Sequence, residues 1–75
     1  MKQIQTFTAI IEQEDDGFVA LCPQLGIASQ GDSIQEAKSN LSEAIELFLE
    51  VADPSEIPSR LHTKIFITQV TVPVV

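Results

Sequence analysis

The sequence predicts an α+β domain of two layers, βββαβ, with one main helix lying on one face of a small mixed sheet. Three observations carry this reading. Residues 4–11 (IQTFTAII) and 18–22 (FVALC) are β-rich runs flanking an Asp-Gly pair. The stretch from Ser33 to Ala52 repeats its apolar residues at helical spacing. Residues 63–72 (TKIFITQVTV) form a last β-rich run after the helix. β-branched and aromatic side chains suit a pleated surface, and a period near 3.6 marks a helix with one apolar stripe. Such a helix must bury its stripe against something, and here the available surface is a sheet.

The first strand is placed over residues 4–11, with Phe7, Ala9 and Ile11 on one side and Ile4, Thr6, Thr8 and Ile10 on the other. Residues 12–17 (EQEDDG) end in Asp16-Gly17, a pair that favours a tight hairpin because glycine accepts positive φ at little cost. The second strand is residues 18–22, stopped by Pro23, which has no N–H to give a ladder. A weaker third strand is placed around residues 26–30. Ser33 and Glu36 then match the S-x-x-E capping box, with Asp32 as the competing cap. Ile34, Ala37, Leu41, Ala44, Ile45, Phe48, Leu49 and Ala52 make the apolar stripe, and Glu36, Glu43, Glu46 and Glu50 lie across the helix from it. Asp53-Pro54-Ser55-Glu56 reads as a second helix start that Pro58 limits to about one turn. Pro73 closes the last strand. That strand follows a helical crossover, so a parallel, right-handed connection beside the first strand is expected.

The chain has 75 residues, enough for one domain spanning 1–75. A chain of this size hides only about 60% of the surface its unfolded form exposes, so a thin core is expected. One cysteine, Cys22, allows no internal disulfide, and one cysteine with one histidine, His62, falls short of the four ligands of a structural zinc site. Packing and self-association remain as routes to stability. A lone thiol, and an N-terminus without the apolar core of a signal peptide, lead us to expect a cytoplasmic protein with no membrane role.

Charge is unevenly placed. Eleven acids beside only Lys2 and Lys38 leave residues 1–56 at −9, whereas residues 57–75 hold Arg60, Lys64 and no acid. An acidic body repels phosphate backbones, so direct nucleic-acid binding is not expected. A basic protein partner suits it better. The helix acids Glu43, Glu46 and Glu50 and the hairpin acids Glu14, Asp15 and Asp16 are the partner-binding candidates. The plainer reading is that both sets keep a small protein soluble.

Catalytic chemistry is hard to find. Cys22 sits at a strand end and reads as a small buried hydrophobe. His62 lies in a proline-bounded connector, and no spacing ties it to Cys22 as base to nucleophile. No Gly-rich phosphate loop occurs. The acids at 12–16 lack the ligand spacing of a calcium loop. No catalytic, cofactor-binding or metal-binding residue is assigned.

Self-association is the stronger expectation. One helix covers one face of the sheet and leaves apolar side chains on the other. The last strand, at a sheet edge, would present unpaired backbone groups. Phe66, Val70 and Val72 share one side of that strand, in a tail without charge after Lys64. They are the candidates for a homodimer or larger interface.

The ordered set Phe7-Thr-Ala-Ile-Ile-Glu12, Asp16-Gly-Phe-Val-Ala20, Cys22-Pro23, Leu25, Ser29-Gln-Gly-Asp32, Ala37, Asn40-Leu41 and Glu43-Ala-Ile-Glu-Leu-Phe-Leu-Glu50 resembles the HicB antitoxin family. Asp53-Pro-Ser-Glu-Ile57 and Arg60-Leu-His-Thr63 resemble a subgroup of its short members, so the likeness spans nearly the whole chain. It implies a partial RNase H-like βββαβ domain that binds and neutralises a small basic toxin of the HicA type, an RNA-cleaving protein. It also implies oligomers. Many family members carry a C-terminal DNA-binding domain. This sequence ends at Val75, directly after the last strand, so neither that domain nor operon repression is expected of it.

The RNase H-like label raises a second reading, a metal-dependent nuclease. Such enzymes clamp a phosphodiester between divalent metals held by several carboxylates. Residues 5–11 and 57–75 carry no acid, which would leave Glu43 and Glu46 without partners. A stand-alone oligomeric binding or scaffold protein is the third reading.

Overall fold

A computed structural model describes residues 5–52 and 64–75 of the chain. Four elements occur in the order β1 (Ile10–Glu14), β2 (Gly17–Cys22), β3 (Ile27–Gly31) and α1 (Ile34–Val51). The strands form one antiparallel sheet in the order β1-β2-β3, and α1 packs across it. This is the α+β, two-layer arrangement that the pattern predicts, as βββα among the described residues.

The register explains which side chains meet the helix. Ile11 faces Ala20, Ala20 faces Ser29, Cys22 faces Ile27 and Phe18 faces Gly31. Side chains alternate between faces, so Phe18, Ala20 and Cys22 share the helix side of β2. There they meet Ala37 and Leu41. Ala20, Cys22, Leu25, Ala37 and Leu41 are buried, and Phe7, Ile11, Phe18, Ile27, Ile45 and Phe48 pack around them half-buried. The core is as thin as chain length suggests, for its largest fully buried side chain is Cys22. On the far face of the sheet Ile10 and Leu21, paired in register, are exposed.

The helix ends follow the caps. Ser33 takes an extended conformation and its Oγ accepts from the Glu36 N–H at 3.0 Å. Ser33 therefore wins over Asp32 as cap. The return bond differs from the standard box: the Glu36 carboxylate accepts from the Asp32 N–H at 3.1 Å, one residue before the cap. Replacing Ser33 by alanine should cost about 1 kcal/mol, read as a lower urea midpoint with an unchanged slope. Asn40 adds a tie from helix to sheet, its Nδ2 donating to the Gln30 carbonyl at 2.8 Å.

Three expectations need correction. The hairpin turn is Asp15–Asp16, because Glu14 pairs with Gly17. Asp15, with φ of 47°, takes the left-handed conformation assigned above to the glycine, and aspartate tolerates it better than most residues. The first strand is shifted: its ladder covers Ile10–Glu14, and residues 5–9 belong to no ladder. Hairpin register, set by the turn, decides which residues pair, and it draws polar Glu12, Gln13 and Glu14 into the strand. Finally, residues 64–75 have no regular secondary structure, and all but half-buried Ile65 are exposed. Among the described residues the last strand and its parallel pairing are not found, so the described sheet is purely antiparallel rather than mixed. A strand exists only through its ladder, and no described neighbour supplies one to residues 64–75. The second helix start at 53–56 and His62 lie outside the described residues.

Candidate partner-binding surface

Two parts of the fold gather carboxylates. The first is the turn end of the β1–β2 hairpin. Pairing of Phe18 with Gly31 brings this end beside the junction of β3 and α1. A shallow cleft results, with Glu14, Asp15 and Asp16 on one side and Asp32 and Glu36 on the other. All five are exposed. Among the described residues no ion pair neutralises any of them, so the cleft projects negative charge. It does not concentrate that charge at a point: no group of three His, Cys, Asp or Glu among the described residues is arranged to hold a metal ion.

The second part is the outer side of α1. Glu43, Glu46 and Glu50, three and four residues apart, share one exposed helix face. Glu46 and Glu50 also form the rim of an open groove between α1 and residues 5–9. Phe7, Leu41, Ile45 and Leu49 supply apolar surface to that groove. Thr8 fixes the strand side of it. Its N–H donates to Gln24 Oε1 at 3.2 Å, and Gln24 Nε2 donates to Thr8 Oγ1 at 3.1 Å.

The chain is similar to a UPF0150 protein, ssr1765, of Synechocystis sp., with 46% identity over 61 residues, covering 76% of this chain and 77% of the relative. The chain belongs to the UPF0150 family. A second UPF0150 protein of Synechocystis sp., ssl0738, is 53% identical over 45 residues, 57% of this chain and 62% of that protein. One from Helicobacter pylori is 44% identical over 50 residues, 65% of this chain and 69% of that protein. No family model matches the chain, and no solved structure does.

In this UPF0150 protein the two acidic sets named from sequence are separate surfaces. Sequence reasoning treats Asp32 as a competing cap and Glu36 as a capping-box residue and one of the helix acids, and their place beside the hairpin acids is a consequence of strand register. The acidic run before Gly17 and the Gly31-Asp32 step are the sequence traces of that cleft, but nothing local links them. Cys22 is buried, and its thiol donates to Gln24 Oε1 at 3.5 Å. The interface candidates Phe66, Val70 and Val72 are exposed by 84, 83 and 63%. No described helix is long and apolar enough to cross a membrane.

Proposed function

We propose that this protein is an antitoxin-like binder, which neutralises a small basic RNA-cleaving protein of the HicA type by direct contact. The observation that carries the reading is the cleft at the hairpin end, where five exposed carboxylates from two chain segments converge without a described basic neighbour. The HicB-like residue pattern supports it, and so does the strongly acidic body. A basic partner would be steered to such a surface, since complementary potentials mainly raise the rate of encounter. Short-range apolar contact beside the cleft would then hold the complex.

The test is to express the small protein encoded beside this chain's gene, alone and with it. The neighbour should cleave RNA alone and lose that activity in a stable complex. A neighbouring frame that encodes no small basic protein, or one whose RNA cleavage continues in the presence of this chain, would sink the reading. Reversing Glu14, Asp15 and Asp16 to lysine should slow association about tenfold at low salt, within the range of electrostatic steering. The effect should fade as salt rises. If Glu43, Glu46 and Glu50 reversed to lysine give the larger change in stopped-flow, the outer helix face is the contact instead.

A further inference from the structure

The glycine of Asp16-Gly17 does not serve the turn through its conformation, since Asp15 takes the left-handed position. Its use is space: a Cβ on Gly17 would lie 3.2 Å from the Gly31 carbonyl oxygen, where β2 runs beside β3. A glycine at 17 also leaves its own nitrogen unshielded by any side chain. That nitrogen directly follows Asp16, whose carboxyl is exposed.

We propose that Asp16 is a site of spontaneous backbone modification, where the ordinary aspartyl linkage converts to isoaspartate. The Gly17 nitrogen attacks Cγ of the protonated Asp16 carboxyl. An N–Cγ bond forms, and the carboxyl hydroxyl leaves with the amide hydrogen as water, giving a succinimide ring. Water then adds at the Asp16 main-chain carbonyl carbon, and the bond from that carbon to the Gly17 nitrogen breaks. The chain now runs through Cβ and Cγ, one methylene longer, and the former main-chain carbonyl is a free carboxylate. Water is the sole co-reactant. The added methylene falls in the turn that fixes the register of β1 on β2. The proposal requires no partner and does not rest on the antitoxin reading.

The fold separates Asp16 from the other residues able to form such a ring, which in this chain are four aspartates and one asparagine in all. Asp53 precedes Pro54, whose nitrogen has no hydrogen to lose. Asp32 precedes Ser33, which is fixed at both ends: its carbonyl accepts from the Ala37 N–H at 2.9 Å and its Oγ from the Glu36 N–H at 3.0 Å. Asp32 is itself tied through its N–H to the Glu36 carboxylate. Asp15 precedes a residue with a side chain. Asn40 lies within α1, is followed by buried Leu41, and has its side-chain amide engaged with the Gln30 carbonyl. Asp16 combines an exposed carboxyl, a following glycine and a place in a two-residue turn. To bring the Gly17 nitrogen onto Cγ, only the Glu14–Gly17 pair at the end of the ladder has to open. Such ends open at far smaller free energy than the core. Asp16 and Gly17 also line the open cleft, so water reaches the ring.

The experiment ages the full-length chain in warm neutral buffer beside a synthetic peptide of residues 12–19, until the peptide is half converted. Isoaspartate is read by methyl transfer from labelled S-adenosylmethionine with a protein-isoaspartate methyltransferase. Mass spectrometry with electron-transfer fragmentation locates it. The expected result is label that rises with time at Asp16, accompanied by a minor species lighter by one water. Gly17→Ala should lose most of this label and Asp16→Glu all of it, with far-UV circular dichroism unchanged in both. A chain that stays unlabelled while the peptide converts overturns the proposal, because the hairpin then protects the bond. Label that appears first at Asp15 or Asp32 overturns it too. So does an undiminished rate in Gly17→Ala, which would remove the glycine from the argument.

Discussion

Replacing Gly31 by alanine should destabilise the protein by about 3 kcal/mol or more, a large share of a small domain's stability. A Cβ at this position would lie 2.6 Å from the Ala37 nitrogen, 2.8 Å from the Glu36 carbonyl carbon and 2.9 Å from Glu36 Cβ. Two of these are backbone atoms of the first turn of α1, held by the Ser33 cap and by the Ala37 N–H bond to the Ser33 carbonyl. They cannot swing aside as a flexible side chain would. Relief requires moving the helix away from β3, its most extensive neighbour in the sheet. That movement would strain the Asn40 bond to Gln30 and open the contact of Ala37 and Leu41 with Ala20 and Cys22. Overpacking of this kind costs typically 1–3 kcal/mol, and more where backbone must shift. A chain of this length has only about 4–11 kcal/mol of total stability.

Two other glycines serve as internal controls. A Cβ on Gly26 would meet nothing, but its φ of 68° should make Gly26→Ala cost about 1 kcal/mol. A Cβ on Gly17 would touch the Gly31 carbonyl oxygen at 3.2 Å, a contact that a small shift relieves. Urea denaturation of the three variants should therefore rank Gly31→Ala far below the other two. Equal losses at Gly26 and Gly31 would show that helix and sheet are not in close contact at this point.

Gly31 also marks where sequence reasoning ran out. The helix is legible because its stripe and caps are local: Ser33, Glu36 and the spacing from Ala37 to Phe48 are all read within one element. The second strand is legible because FVALC is bounded by a turn and by Pro23. The first strand is misplaced by several residues, because composition favours IQTFTAII while pairing depends on the turn at Asp15–Asp16. The last run has the right composition and alternation for a strand, but a strand also needs an edge to join, which composition does not supply. Glu14, Asp15 and Asp16 stand out in sequence as an acidic run. Asp32 and Glu36 join them only through the pairing of β2 with β3, a relation between segments some sixteen residues apart that no local pattern encodes.

Leu41→Ala should destabilise the protein by about 3 kcal/mol, enough to leave a marginal fold largely unfolded in moderate urea. Leu41 is 3% exposed at the middle of α1 and belongs to the cluster with Ala20, Cys22, Leu25 and Ala37. Ala20, Cys22 and Ala37 are small, so Leu41 and Leu25 supply most of the buried aliphatic volume. Truncating a buried leucine to alanine costs about 2–5 kcal/mol, the spread reflecting how far the site relaxes. Here one side of Leu41 borders the open groove. Water or neighbouring side chains can therefore enter the space, which places the expected loss in the lower half of that range. Leu41→Met keeps the volume and should cost less than about 1.5 kcal/mol. Urea midpoints of the parent, Leu41→Ala and Leu41→Met chains would measure both losses, and equal losses for the two variants would show that volume at position 41 does not set the cost.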